Sequence, residues 1–228
     1  MTAACRPLTR SELEPLARAA AGPARRLGAV SRLRGGSKKG VYRLTFDDGG
    51  TAVAYVWSPD EDYWTGTEGT AAPDPRDPFS HASGIDLFTA AHDRLAAIGV
   101  RTPRLLLADR TGRHLPADAA VVEDVRGGTP EEALERDPHE AAGTLERLAG
   151  ALATMRGSES ARGFGKVGVV DQGGTSHGTS CVDVVRDRLC GTSRRRRAGT
   201  PVSLRRGRRS TSGCTLSPPP SGPVRGTP

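Results

Sequence analysis

VYRLTF (Val41–Phe46) alternates apolar and polar residues, the period that lines one face of a strand. DDGG (Asp47–Gly50) follows as a hairpin signal, and TAVAYVW (Thr51–Trp57) is the returning strand. Leu27–Arg34 predicts a strand ahead of them, joined by the turn GGSKKG (Gly35–Gly40), so three antiparallel strands form a meander. Thr9–Ala21 predicts a short helix with Thr9 or Ser11 as its cap and Glu12 and Glu14 in its first turn. Ser58–Ser80 is polar, acidic and proline-rich, the composition of a loop. From Ser83, a cap, the residues Ile85, Leu87, Phe88, Ala91, Leu95 and Ile98 recur at helical spacing until Gly99 ends the run.

Pro103–Asp109 and Ala119–Val125 are two further apolar strands around the turn DRTGR, and Gly127 with Gly128 breaks the chain. Thr129 caps a short helix and His139–Met155 forms a longer one. FGKVGVV (Phe164–Val170) predicts a strand or extended segment. Ser180 and Asp183 make a capping box for a helix over Cys181–Leu189. Beyond it, Leu189–Pro228 has almost no apolar residues and no periodicity. Such a stretch buries too little surface to offset its chain entropy, so disorder is expected. The predicted class is α+β: an N-terminal helical extension at 1–26, a lobe with a five-stranded antiparallel sheet and one packed helix at 27–126, linker helices at 127–188, and a disordered basic tail at 189–228.

Charge changes the picture only at the end of the chain. The net charge is +7, yet Leu189–Pro228 holds nine Arg and no Asp or Glu, which leaves Met1–Arg188 mildly acidic. One reading of this stretch is a basic arm, in which RRRR (Arg194–Arg197) and RRGRR (Arg205–Arg209) would bind RNA, DNA or an anionic membrane by counterion release. No aromatic residue interleaves them, so such binding is blind to sequence. The favoured reading is translation out of frame, because shifted frames of GC-rich coding DNA yield Arg, Gly, Pro, Ser and Thr with few hydrophobic residues, as this stretch has. A third reading is a stand-alone binding or regulatory module. Cys5, Cys181, Cys190 and Cys214 form no C-x-x-C pair and read as reduced thiols. The N-terminus has no apolar signal core and no run reaches ~20 apolar residues, so a soluble cytoplasmic chain without a membrane partner is expected.

Candidate chemistry sits in the first turn. Gly35, Gly36 and Gly40 lack Cβ atoms and let backbone N–H groups approach phosphate oxygens; Ser37 adds a hydroxyl and Lys38 and Lys39 positive charge. A solvated hairpin turn is the plainer reading of the same residues. A Walker A loop is excluded, because Gly40 leads into a strand rather than a helix. Asp171, Asp183 and Asp187 have the spacing of a helix cap and a solvated helix face.

The element order strand, glycine-rich turn, strand, hairpin, strand, helix, two strands is that of a kinase amino-terminal lobe. GGSKKGVYRL (Gly35–Leu44), the DDGG hairpin, GVRTPRLLLAD (Gly99–Asp109), VVEDVRGGT (Val121–Thr129) and FGKVGVV together resemble aminoglycoside phosphotransferases and related small-molecule kinases, over roughly residues 30 to 188. The resemblance implies a protein-kinase-like fold, ATP as nucleotide with Mg²⁺, and phosphorylation of a hydroxyl on a small molecule. It makes Val121–Val125 the hinge, with Glu123 and Val125 as backbone contacts to adenine; a plain buried strand remains compatible.

Two features of that family are missing. The third strand has Tyr55 where a kinase lobe carries a phosphate-gripping Lys, and Asp86 or Asp93 on the next helix are the nearest acidic partners. Arg43 or Lys39 are candidate substitutes. Among five histidines only His177 precedes a Gly, and Thr179 stands where a His-Gly-Asp catalytic loop has its Asp. No Asp or Glu follows Asp187. Transfer needs a carboxylate to orient the hydroxyl and others to hold the metal, so catalysis and acceptor binding are not expected of this chain.

Overall fold

The computed structural model of the chain describes residues 6–34, 38–62, 74–158 and 163–197, with the backbone alone for Glu140 and 191–197. Helix α1 (Arg10–Ala21) begins at Thr9, whose hydroxyl accepts from the Glu12 N–H while the Glu12 carboxylate accepts from the Thr9 N–H at 2.8 Å. That reciprocal cap satisfies two donors the helix start leaves open. Strands β1 (Leu27–Arg32), β2 (Gly40–Phe46) and β3 (Thr51–Trp57) follow as the expected meander, and β3 runs into a 3-10 turn at Pro59–Glu61. Helix α2 (Ile85–Ala97) comes next, then β4 (Leu105–Asp109) and β5 (Asp118–Glu123). Helices α3 (Pro130–Arg136), α4 (Pro138–Gly157), α5 (Val167–Val170) and α6 (Cys181–Arg197) complete the order.

All five strands join one antiparallel sheet in the order β1-β2-β3-β5-β4. The hairpin between β2 and β3 closes at Gly49, whose φ of 80° suits a residue without Cβ. Period two then sorts the side chains onto two faces. Tyr42, Leu44 and Phe46 of β2, Ala52, Ala54 and Val56 of β3, and Ala119 and Val121 of β5 share one buried cluster with Leu13, Leu16 and Ala17 of α1. The helix expected as an extension ahead of the sheet therefore supplies part of its core. Full burial of a leucine such as Leu13 or Leu16 contributes about 1.5–3 kcal/mol. The opposite face carries Val41, Arg43, Val53, Tyr55 and Trp57, and α2 meets it through Phe88, whose ring lies 5.3 Å from Tyr55 and 5.6 Å from Trp57.

Three local expectations are corrected. Val167–Val170, expected to be extended, is a turn of helix packed on α2. Gly168 there lies so close to Leu87 that an added Cβ would come within 2.9 Å of its Cδ2, and the Lys166 ammonium is tied to Ser80 and Ala82 carbonyls at 2.7 and 3.1 Å. Tertiary contact overrides the β preference of three valines. Helix α2 starts at Gly84 without a side-chain cap, because the Ser83 hydroxyl accepts from the Trp57 indole N–H at 3.1 Å instead. The last helix does not stop at Leu189: its backbone continues to Arg197, where arginine's good helix propensity meets no proline before Pro201. Residues 198–228 lie outside the described residues.

The chain divides into two units, Met1–Val185 and Arg186–Pro228. Among the described residues no helix is long and apolar enough to cross a membrane.

Candidate functional site

The turn between β1 and β2 was expected to bring glycine, serine and lysine to a ligand. Gly35, Gly36 and Ser37 lie outside the described residues. Lys38 is neutralised by Asp62, its ammonium 3.0 Å from the carboxylate. Lys39 behaves differently. Its ammonium stands 4.2 Å from the centre of the Tyr55 ring, 5.5 Å from Trp57 and 5.6 Å from Phe88. The three rings meet edge-on or tilted, so their faces and edges form a continuous aromatic surface under the charge. Burial pushes the Lys39 ammonium below its ordinary pKa, and among the described residues no carboxylate pairs with it.

Gly40 is a glycine for a reason the sequence did not reveal. It is buried, and a Cβ there would lie 2.6 Å from Cδ of Glu61 and 2.7 Å from the Tyr42 ring. The close approach it permits is to a carboxylate of the same chain. Glu61 is itself buried, paired with Arg32 at 2.6 Å, and accepts the Tyr42 hydroxyl proton. That hydroxyl also accepts the Leu8 N–H at 3.0 Å. Burial, then the bond to Glu61, pushes the Tyr42 phenol up to about 12. Nothing in the sequence pattern flagged Glu61, which follows β3 among polar loop residues.

The substitutes for a third-strand lysine can be sorted by their partners. Arg43 is held by Asp124 through two contacts of 2.8 and 3.2 Å, and Asp124 also meets Arg126 at 3.3 Å. On α2, Asp86 pairs with Arg110 at 2.7 Å and Asp93 with His92 at 3.2 Å. Neither acid is a partner of Lys39.

At the far end of β5, the Glu123 carboxylate accepts from Arg101 at 2.9 Å and from the Arg104 N–H at 3.1 Å, and its own N–H donates to the Arg104 carbonyl. The Arg104 N–H, with Arg101 and Arg104 charge nearby, holds the Glu123 carboxyl below its ordinary range. Its side chain thus fastens the approach to β4 rather than facing a ligand. Val125 stands just past β5 and is 53% exposed, and among the described residues no backbone group pairs with its N–H. Ala120 faces Tyr55 across the ladder and β5 ends at Glu123, so Val125 lies five residues further along the chain than the position opposite the ring that supports Lys39.

Three further acids are engaged: Asp171 with Arg94 at 3.8 Å, Asp183 with the Ser180 and Thr179 hydroxyls, and Asp74 with His177 at 2.7 Å. Among the described residues no three His, Cys, Asp or Glu side chains converge as a metal site. Among the described residues, cavities occur elsewhere. One of about 390 Å³ lies against α1 near Glu14, Arg18 and His114, and one of about 250 Å³ lies between α2 and α5 near Leu95, Ile98 and Val167. Lys39, Tyr55, Glu123 and Val125 line neither. Compared with protein-family models, with curated proteins and with solved structures, the chain matches none.

Proposed function

We propose that this chain is the nucleotide-binding lobe of a small-molecule kinase of the aminoglycoside-phosphotransferase type, and that by itself it binds ATP without transferring its phosphate. The observation that carries this reading is the sheet. Its antiparallel order β1-β2-β3-β5-β4, with a glycine–lysine turn between β1 and β2 and α2 between β3 and β4, has the element order of a kinase amino-terminal lobe. A nucleotide along the β3–β5 ladder would set its adenine against the Glu123 carbonyl and the open Val125 N–H and its phosphates toward the lysine turn. The ancestral chemistry is ATP-dependent phosphorylation of a small-molecule hydroxyl. No residue here is assigned to Mg²⁺, because the sequence has no Asp or Glu beyond Asp187 where the family holds metal and hydroxyl.

The test is calorimetric titration of the whole chain with ATP and with adenosine, alongside a coupled assay for ADP release with Mg²⁺ and a hydroxylated acceptor. Saturable ATP binding with no ADP release is expected. Absence of binding by either compound at millimolar concentration sinks the nucleotide reading, and acceptor-dependent ADP release sinks the inactive one.

A further inference from the structure

The lysine that a kinase lobe carries on its third strand is replaced here by Tyr55, and the aromatic ring that took its place holds another cation. We propose that Lys39, reaching from the turn before β2 to the face of Tyr55, is the residue that grips the phosphates of the bound nucleotide. The proposal rests on the nucleotide reading above.

Comparison with the nearby cations points to it: Arg34, exposed just past β1, also lacks an ion pair among the described residues, but no aromatic ring among them positions it. Lys38 is matched by Asp62, Arg32 by Glu61, Arg43 by Asp124 and Arg110 by Asp86. Each would have to break an ion pair before meeting a phosphate. Lys39 instead rests on Tyr55, Trp57 and Phe88, and among the described residues has no counter-charge. A ring face steers an ammonium without neutralising it, since the attraction is to a quadrupole rather than to a full negative charge. The cation is therefore positioned and still able to attract an anion strongly. Its stem crosses diagonally to a ring whose strand partner is Val41, two residues along, the reach expected of neighbours across an antiparallel pair. Partial desolvation points the same way, because burial already disfavours the charge and a phosphate would relieve that cost.

The experiment measures affinity of the full chain for ATP, adenosine and inorganic tripolyphosphate, in wild type, Lys39→Gln, Arg113→Gln as a remote charge control, and Lys39→Gln/Tyr55→Lys. Loss of one charge-assisted contact predicts roughly tenfold or greater weakening of ATP and tripolyphosphate in Lys39→Gln. Adenosine should be unaffected, Arg113→Gln should match wild type, and the lysine returned to the third strand should recover much of the loss. Should Lys39→Gln fail to fold, Lys39→Met keeps the apolar stem on the rings and gives the same comparison. If ATP binds Lys39→Gln as tightly as wild type, or wild type binds ATP no better than adenosine, Lys39 has no such role while the nucleotide reading stands. If tripolyphosphate binding depends on Lys39 but adenine adds nothing, Lys39 keeps its role as an anion anchor and the nucleotide reading fails. Binding of none of the three overturns both.

Discussion

Tyr42 donates its hydroxyl to the carboxylate of Glu61, so a residue of β2 and one just past β3 are joined inside the protein by a bond between two fully or nearly buried side chains. Arg32 and the Leu8 N–H complete the cluster, which ties β1, β2, the end of β3 and the lead-in to α1 together. Tyr42→Phe removes one donor to a buried carboxylate and one acceptor for a backbone N–H. Its unfolding free energy should fall by about 1–3 kcal/mol, measured by urea denaturation. An unchanged midpoint would mean that water satisfies both groups.

Gly40→Ala separates a packing role from a ligand role. A methyl at that position meets Glu61 and Tyr42 at 2.6 and 2.7 Å, inside contact distance, and Glu61 is pinned by Arg32. Overpacking of this kind costs about 1–3 kcal/mol. Thermal unfolding without any ligand should therefore already register the substitution. A glycine kept only for phosphate approach would leave the ligand-free midpoint where it was.

Asp109 gives the fold a measurable acid sensitivity. The Thr111 hydroxyl, then the N–H groups of Thr111 and His114, hold its buried carboxylate at a pKa of about 2 against an ordinary 3.8. A depressed folded pKa means that the stabilisation is present at neutral pH and is lost as pH falls from about 4 through about 2. The shift corresponds to on the order of 2 kcal/mol. Asp109→Asn should be less stable than wild type at pH 7, and the gap should close at pH 2. A gap that persists undiminished in acid would assign the effect to shape rather than charge.

Helix α4 presents Leu145, Leu148, Leu152 and Met155 to solvent along one stripe, with Leu148 45% and Leu152 54% exposed. An apolar stripe of this sort favours self-association. Light scattering at rising protein concentration should show particle growth in wild type and less of it in Leu148→Gln/Leu152→Gln. The unfolding midpoint of the double variant should change little, because neither side chain is packed in the core. Equal growth in both proteins would place the association elsewhere.

Much of the scaffold was determined by residues close together in sequence. The alternation in Val41–Phe46, the Asp-Gly hairpin, the cap residues Thr9 and Thr129 and the apolar spacing of α2 are each read over a few residues, and each element formed where its pattern lies. The candidate site was legible only as a list of residue types, because its meaning depends on partners distant in the chain. Lys38 and Lys39 are neighbours of like charge, yet one meets Asp62 and the other the Tyr55 ring. Gly40 faces Glu61, Glu123 is spent on Arg101 and Arg104, and Val167–Val170 coils because Gly168 must fit against Leu87. Backbone propensity and capping act within a turn or two and can be read from the chain alone. Which charge is neutralised, which glycine is needed and which face a helix covers are settled by contacts between residues 16 to 81 positions apart, and only the tertiary fold brings those together.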